Sequence, residues 1–270
     1  ESFGTVGKAL VKMGKTAKES VKNLVIPDSM LFEQLGIICT PPIDGHNIPA
    51  IKAAIKNAFA ANAPVLVHVI TKKGKGYAPA EQNPSKFHGV GPYDLESGEI
   101  KKKVGGNLTY TQAFSQSLKA EAAKDDSIVV VTAAMTDGTG LADFAREYPK
   151  RFFDVGIAEE HAVAMAAGLS IGGKKPVVAL YSTFMQREID QLIIDVALPR
   201  ENVVIAIDRA GLVGDDGPTH HGVFDMVYAR MIPHVKILAP SDEAELASAL
   251  HTALAIGGPV VLRYPRGEAP

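Results

Sequence analysis

The sequence predicts an α/β fold with a doubly wound, mostly parallel sheet and helices on both faces. Short apolar runs rich in β-branched residues alternate with helical patterns along most of the chain, which is typical of parallel βαβ units. The runs are almost continuous in apolar residues, as in strands that helices cover on both faces. With 46% hydrophobic residues and a formal charge of -2 over 270 residues, the chain can bury a sizeable core.

Residues 1–105 are predicted to be the end of one α/β domain followed by a linker. Residues 36–40 and 64–70 read as buried strands, and the segment between them as a helix with Asn47 as its N-cap and Pro49 in its first turn. From residue 72 to residue 106 the sequence is rich in Gly, Pro and Lys. That composition predicts an exposed connection between two domains.

Residues 106–270 are predicted to form a second domain in which the alternation of strands and helices is complete. The predicted strands are residues 127–135, 151–157, 176–182, 202–208, 235–240 and 259–265. The predicted helices are residues 109–125, 140–149, 158–173, 183–198 and 241–258, and residues 209–225 are predicted to be a loop. Six strands with helical crossovers indicate the doubly wound sheet.

Composition also limits the partners and the cellular setting. The near-neutral charge offers no nucleic-acid footprint, and no apolar run approaches the roughly 20 residues that cross a bilayer. Cys39 is the single cysteine, so an intrachain disulfide is impossible and a reducing, cytoplasmic location is expected. Because the chain begins at Glu1 and not at Met, we expect a fragment or a processed chain.

Polar side chains follow the predicted strands of the second domain, at the sheet edge where ligands bind in such folds. Each group also has a plainer interpretation: acidic residues suit the first turn of any helix, and "GDDGPTHHG" suits a turn or, less readily, a metal site. The residues concerned are Glu159, Glu160 and His161; Tyr181, Phe184 and Arg187; Arg209, Asp215, Asp216, His220 and His221; and Arg263 and Arg266.

Three motifs carry a family resemblance. "DVGIAEEHAVAMAAGLSIGGKKPVVALYSTFMQREIDQ", "IDRAGLVGDDGPTHHGVFD" and "RYPRG", in this order, resemble the pyrimidine-binding domain of 1-deoxy-D-xylulose-5-phosphate synthases, thiamine-diphosphate enzymes related to transketolase. Upstream, "PPIDGHN", "TKKGKGYAPAE" and "FHGVGPYDLESG" resemble the end of that family's diphosphate-binding domain and its link to the next domain. The resemblance implies a homodimeric transferase that condenses pyruvate with D-glyceraldehyde 3-phosphate, with loss of CO2, to a precursor of isoprenoids, thiamine and pyridoxal.

The resemblance also implies residue roles on the cofactor side. Glu159 matches the catalytic glutamate, which shares a proton with the ring nitrogen of the cofactor's aminopyrimidine; Glu160 is given no catalytic role. Phe184 matches the aromatic that stacks on the pyrimidine, and Ile157 the apolar residue under the bend of the cofactor. Lys73 matches a lysine near the diphosphate.

On the substrate side the resemblance assigns the remaining residues. Tyr181, Arg209 and Arg266 match positions that bind the phosphate of glyceraldehyde 3-phosphate, and Arg187 matches a further basic position. His220 matches a histidine that contacts substrate and moves protons, Asp216 lies in the same loop, and His88 matches a histidine that lines the active site. His46 and His221 are interpreted as structural.

The chain departs from the family in one respect. The family holds Mg2+ and the diphosphate with a Gly-Asp-Gly motif followed by an Asn, and no such motif is found here. We therefore expect the magnesium ligands in a missing N-terminal region, assign no metal ligand in this chain, and expect the C-terminal domain to be missing too. Two alternatives stay open: a non-catalytic dimerisation fragment, or one subunit of a split thiamine-diphosphate enzyme such as a transketolase.

Overall fold

The computed structural model describes residues 30–100 and 106–270. The chain divides into two compact units, Glu1–Lys102 and Lys103–Pro270. The predicted end of the first domain, residue 105, lies outside the described residues. No helix in the described part of the chain is long and apolar enough to span a membrane.

The first unit consists of short elements around two small parallel strand pairs, β1 with β3 and β2 with β4. Asn47 caps α2 by accepting a hydrogen bond from the Ala50 amide at 3.1 Å, which confirms the predicted cap. The elements are α1 (Met30–Gln34), β1 (Ile38–Cys39), β2 (Ile43–Asp44), α2 (Ile48–Ala60), β3 (Val65–Leu66), β4 (Val69–Ile70) and α3 (Ala78–Gln82).

One prediction for this unit was wrong. The expected strand at residues 64–70 is two strands, and none of the short strands is fully buried, because each pair is only two strands wide; Ile70 is 58% exposed. The predicted connection after residue 72 is mostly exposed. It also contains α3 and an aromatic cluster of Tyr77, Phe87 and Tyr93, with ring centroids 5.3 to 5.9 Å apart, which its Gly and Pro content did not indicate.

The second unit is built on one six-stranded parallel sheet, with the strand order β6-β5-β7-β8-β10-β9. All five pairings are parallel, as predicted. The strands are β5 (Ile128–Thr132), β6 (Phe152–Asp154), β7 (Lys175–Tyr181), β8 (Val204–Asp208), β9 (Lys236–Leu238) and β10 (Val260–Arg263). β5, β7 and β8 are apolar on both faces because both faces are covered.

Helices cover both faces of this sheet, which confirms the doubly wound architecture. One core contains Phe114, Phe144 and Leu246 of α4, α5 and α9, and the other contains Val163 and Leu192 from the opposite layer. A capping box of Thr109 and Gln112 starts α4. The helices are α4 (Tyr110–Ala122), α5 (Ala142–Glu147), α6 (Glu159–Ile171), the single turn α7 (Ile189–Gln191), α8 (Asp225–Met231) and α9 (Glu243–Ala255).

The helix predicted at residues 183–198 is not a single regular helix. A 3-10 segment (Ser182–Arg187) leads into α7, and a π-helical segment (Leu192–Ala197) follows. Apolar spacing alone does not separate these helix types, since all of them bury a residue every three to five positions. α8 was not predicted from the sequence either. Only Asp225 and Ala229 of its residues are buried, so it shows no apolar helical pattern.

Asp208, the last residue of β8, is a buried carboxyl that couples the stability of this unit to pH. Its Oδ2 accepts a hydrogen bond from Thr111 Oγ1 at 2.7 Å, while burial raises its pKa from 3.8 to about 6. The folded state therefore holds this proton more tightly than the unfolded chain does. The stabilising contribution is fully present below pH 3.8 and is lost as the pH rises to about 6.

We expect Asp208→Asn to abolish this pH dependence. Between about pH 4 and pH 6, the free energy of unfolding of the wild type should fall relative to that of the variant by up to about 3 kcal/mol, and the difference should then level off. Urea denaturation at a series of pH values measures it. A difference that stays constant over this range contradicts the raised pKa.

Candidate active site

The polar residues predicted to meet at one edge of the sheet are brought there by strand register. Tyr181 at the end of β7 pairs with Asp208 at the end of β8, and Arg263 at the end of β10 pairs with Ile207. Arg209 follows the end of β8 directly, and Arg266 lies three residues after the end of β10. Because all the strands are parallel, the loops that leave their carboxyl ends lie side by side.

The turn that leads from β6 into α6 is held by Asp154. Its Oδ1 accepts hydrogen bonds from the amides of Ala134 at 2.8 Å and Gly156 at 3.0 Å, and its Oδ2 accepts one from Thr136 Oγ1 at 2.9 Å. Asp154 thus ties the loop after β5 to the turn that presents Ile157 and Glu159. The sequence analysis did not identify this role.

Glu159 is the first residue of α6 and is only 2% exposed. Its Oε2 lies 3.0 Å from Arg187 Nε but has no hydrogen-bond partner among the described residues, because the N–H is not aimed at it. The neighbouring Glu160 contacts Arg187 Nη2 at 3.3 Å and is 43% exposed. One arginine therefore holds two adjacent carboxylates. Of these two only Glu159 has a buried oxygen, and that oxygen is paired with Arg187 without receiving a hydrogen bond from a described residue.

An aromatic surface lies on the 3-10 segment beside this carboxylate. Phe184 stacks on Tyr181, with ring centroids 5.9 Å apart and an angle of 20° between the rings, and His220 meets Phe184 edge-on at 5.7 Å. Ile157 leaves 81% of its surface exposed, which is unusual for an isoleucine beside a buried acid. Phe184 and Ile157 thus offer apolar surface next to the loops that carry the charged groups.

Two arginines converge on one carboxylate. Arg266 Nη1 lies 2.6 Å from Asp216 Oδ1, and Arg209 Nε lies 3.3 Å from Asp216 Oδ2. The Arg209 guanidinium also stacks over the Tyr181 ring at 3.8 Å, and burial raises the pKa of the Tyr181 phenol. Tyr181, Arg209 and Arg266 therefore form a contiguous cationic group in which Asp216 already occupies an anion position.

Gly138 is a site residue that sequence reasoning missed. Its carbonyl accepts a hydrogen bond from Arg209 Nη1 at 2.8 Å, and a Cβ atom at this position would lie 1.6 Å from the Tyr181 hydroxyl oxygen. Only glycine lets the loop after β5 come this close to the phenol. Nothing in the run "MTDGTG" distinguishes this glycine from an ordinary turn residue.

We expect Gly138→Ala to displace the Tyr181 ring, at a stability cost of about 1–3 kcal/mol. Thermal denaturation measures this cost. Gly168→Ala is the matched control, because a Cβ there meets nothing within 4 Å and alanine favours the helix. A melting temperature of Gly138→Ala equal to that of the wild type contradicts the close approach.

The remaining candidates belong to the other unit or support the backbone. Lys73 and His88 belong to the first unit and are exposed there. His221 Nδ1 accepts a hydrogen bond from the Val213 amide at 3.2 Å and so supports its own loop, and His46 Nε2 accepts one from the Lys72 amide at 2.7 Å. In residues 30–100 and 106–270, no group of three or more His, Cys, Asp and Glu could hold a metal ion.

Two family models match the chain. The model for the transketolase pyrimidine-binding domain matches residues 106–270, the part that carries the six-stranded sheet and the site. The model for 1-deoxy-D-xylulose-5-phosphate synthase matches residues 2–71. These matches confirm the resemblance seen in the motifs.

Curated relatives agree with the second model. The chain is 56% identical over 263 residues to a 1-deoxy-D-xylulose-5-phosphate synthase of Heliobacterium modesticaldum, covering 97% of this chain and 40% of the relative. It is 54% identical to that of Pelotomaculum thermopropionicum and 51% identical to synthase 1 of Geobacter sulfurreducens. The chain spans about two fifths of the length of these relatives.

Two solved structures with the same fold are transketolases. A split-gene transketolase, described as an inactive β4 tetramer, is 31% identical with a TM-score of 0.55, covering 61% of this chain and 54% of that one. A transketolase of Campylobacter jejuni gives a TM-score of 0.56 over 92% of this chain and 50% of that one, and its 16% identity shows the fold alone.

Proposed function

The chain belongs to the transketolase pyrimidine-binding domain family, and on that basis we propose that it forms the pyrimidine side of a thiamine-diphosphate site in a 1-deoxy-D-xylulose-5-phosphate synthase. The observation that carries the proposal is the buried Glu159 Oε2 without a hydrogen-bond partner. A buried carboxylate oxygen is costly unless a donor reaches it. The ring nitrogen of an aminopyrimidine, once protonated, is such a donor.

The residues around Glu159 fit this cofactor. Phe184 offers an aromatic face, Ile157 an exposed apolar side chain, and Asp154 holds the turn that presents both Ile157 and Glu159. Thiamine diphosphate, when bound, supplies the electron sink that lets a 2-oxoacid lose CO2 and join an aldehyde. Glu159 would hold or release a proton at the ring nitrogen, while Phe184 and Ile157 would orient the rings and exclude water.

The family resemblance assigns one residue, Lys73, to the diphosphate side of the cofactor. Lys73 carries a positive charge on an exposed part of the first unit, and we assign it to the diphosphate because it matches the family's lysine. Mg2+ would neutralise charge on the diphosphate, and among the described residues no group of three or more His, Cys, Asp and Glu could hold it.

The cationic group fits the phosphate of glyceraldehyde 3-phosphate. Two guanidinium groups and a phenol suit a phosphate dianion through charge-assisted hydrogen bonds. The phosphate would replace the Asp216 carboxylate between Arg209 and Arg266, and Asp216 would then face the rest of the substrate. Arg187 would add a further positive charge beside Glu159, and His220, which contacts Phe184, would move a proton at the substrate. His88 is assigned the same kind of role by resemblance alone.

The proposed reaction joins the two-carbon unit left from pyruvate, after loss of CO2, to the aldehyde carbon of D-glyceraldehyde 3-phosphate. The product is 1-deoxy-D-xylulose 5-phosphate. We propose a cytoplasmic homodimer as the working form. Three exposed apolar side chains support a dimer: Ile171 on α6, Ile194 on the π-helical segment, and Leu198, which follows that segment. Exposed apolar residues on neighbouring elements favour an interface.

A donor-substrate assay tests this proposal. The complete protein that carries this chain, with thiamine diphosphate and Mg2+, should release CO2 from pyruvate and form 1-deoxy-D-xylulose 5-phosphate when D-glyceraldehyde 3-phosphate is present. Use of a ketose phosphate as donor in place of pyruvate would instead identify a transketolase subunit, the second candidate, which the split-gene structure favours. Absence of cofactor binding and turnover would identify a non-catalytic dimerisation fragment.

A further inference from the structure

Glu188 is a buried titratable residue to which the proposed mechanism gives no role. Its side chain is fully buried, and neither Oε1 nor Oε2 has a hydrogen-bond partner among the described residues. It follows Arg187 in the chain, and the segment that carries both residues packs against α6. A carboxylate in such surroundings loses its hydration without gaining any donor in exchange.

The charges near Glu188 favour its neutral form. Burial raises its pKa well above the usual value, and the negative charges of Glu159 and Glu160 raise it further. Arg187 is already shared by these two carboxylates at 3.0 and 3.3 Å. A third negative charge at this place would have no cation of its own.

The elements packed against Glu188 carry other titratable groups, and several of these have partners of their own. Asp225 is held by Arg263 at 2.6 Å, Asp208 accepts a hydrogen bond from Thr111, and His220 contacts Thr219 at 2.9 Å. The rest are exposed or half-exposed: His161, Asp190, Asp195 and Arg230. The electrostatic surroundings of Glu188 are thus set mainly by Glu159 and Glu160.

We propose that Glu188 is a positioning residue of the Glu159 site, whose uncharged carboxyl lets Glu159 and Glu160 stay together on the single Arg187. The proposal rests on the role proposed above for Glu159. When the pH rises far enough to ionise Glu188, the new charge repels the two carboxylates and loosens their hold on Arg187. Glu159 then loses the placement that the cofactor needs, so affinity for thiamine diphosphate falls.

The first test is the pH dependence of stability in Glu188→Gln, which is uncharged at every pH. The folded-state pKa of Glu188 lies above the unfolded value of 4.5, so its stabilising contribution is complete below pH 4.5 and is lost progressively above it. The melting temperature of the variant minus that of the wild type should therefore rise by roughly 3 °C per pH unit from about pH 5 upward.

The slope of this difference, and not its absolute value, is diagnostic, because a packing cost of the buried amide shifts the whole curve equally. Glu188→Met, which has no polar group to satisfy, should show the same slope. Glu243→Gln is the matched control, because it makes the same replacement at an exposed position of α9, away from Glu159 and Glu160. A constant difference between Glu188→Gln and the wild type from pH 5 to 8 would show a charged Glu188 and overturn the proposal.

The second test is cofactor affinity in the complete protein, measured by calorimetric titration of thiamine diphosphate with Mg2+. Over the pH range in which the melting curves show Glu188 ionising, the wild type should lose about tenfold more affinity than Glu188→Gln does. Equal pH dependence of affinity, together with the expected stability slope, would leave Glu188 with a structural role only and overturn the positioning role. No binding at any pH would overturn the proposed function as well, while the melting curves would still report on Glu188.

Discussion

Glu159→Gln in the complete protein is expected to lower pyruvate-dependent turnover by a factor of about 100 to 10,000, the range that general acid–base groups usually contribute. The amide keeps the shape of the side chain in its buried position but cannot hold the proton that the aminopyrimidine nitrogen needs. The fold should survive, since Glu159 makes no hydrogen bond that the sheet depends on. Steady-state turnover and a thermal melt measure the two effects.

Glu160→Gln is the control for this experiment. Glu160 adjoins Glu159 on α6 and shares Arg187 with it, but its side chain is 43% exposed. Glu160→Gln removes the same charge from the same helix turn as Glu159→Gln does, and its turnover should stay within a few-fold of that of the wild type. Near-normal turnover in Glu159→Gln, or equal losses in both variants, would overturn the assignment of Glu159.

Arg266→Ala is expected to lower kcat/KM for D-glyceraldehyde 3-phosphate by about 100-fold or more. Hydrogen bonds to charged groups contribute about 1.5–3 kcal/mol each, and a guanidinium can give two of them to a phosphate. The loss should appear mainly in the KM for the aldehyde, with the KM for pyruvate almost unchanged. Initial rates over a grid of the two substrates measure both constants.

Two controls separate phosphate recognition from general damage. D-glyceraldehyde, which has no phosphate, should react equally well with the wild type and with Arg266→Ala. Arg200→Ala removes one positive charge from an exposed loop before β8, at the opposite edge of the sheet, and should leave every constant unchanged. An unchanged dependence on D-glyceraldehyde 3-phosphate in Arg266→Ala would remove the phosphate-binding role.

Much of the second unit could be predicted from the sequence because local pattern and tertiary role agree there. Continuous apolar runs such as Ile128–Thr132 are strands because two helical layers cover them, and the parallel order then places the residues after β6, β7, β8 and β10 at one edge. The rule for ligands in parallel sheets therefore led from the strand pattern to Glu159, Arg209 and Arg266.

The parts that escaped prediction depend on contacts between residues distant in the chain. The close approach of Gly138 to Tyr181, the ties that Asp154 makes to the loop after β5, and the isolation of Glu188 have no local signature. In the first unit, pairs of two-residue strands leave apolar side chains exposed where the apolar pattern predicted burial. In the first unit, whether an apolar residue is buried depends on the neighbouring elements and not on the apolar run that contains it.

The charged residues at the site share a small number of partners. Arg187 holds two carboxylates, and Asp216 holds two arginines, so each ligand group must replace an existing ion pair or use an oxygen left free. The binding free energy of a ligand at such a site is the difference between the interactions that the ligand forms and the ion pairs that it replaces. For that reason the variants above are judged by pH slopes and by ratios between substrates, not by single activities.

The most direct test of the central claim, that Glu159 controls the proton on the cofactor's pyrimidine, is the rate at which the thiazolium C2 hydrogen of bound thiamine diphosphate exchanges with deuterium. The experiment compares the complete wild-type protein with Glu159→Gln, each saturated with thiamine diphosphate and Mg2+, by quenched-flow proton NMR without substrate. We predict exchange at least about 100-fold slower in the variant. Equal exchange rates with the cofactor bound in both proteins would contradict the account.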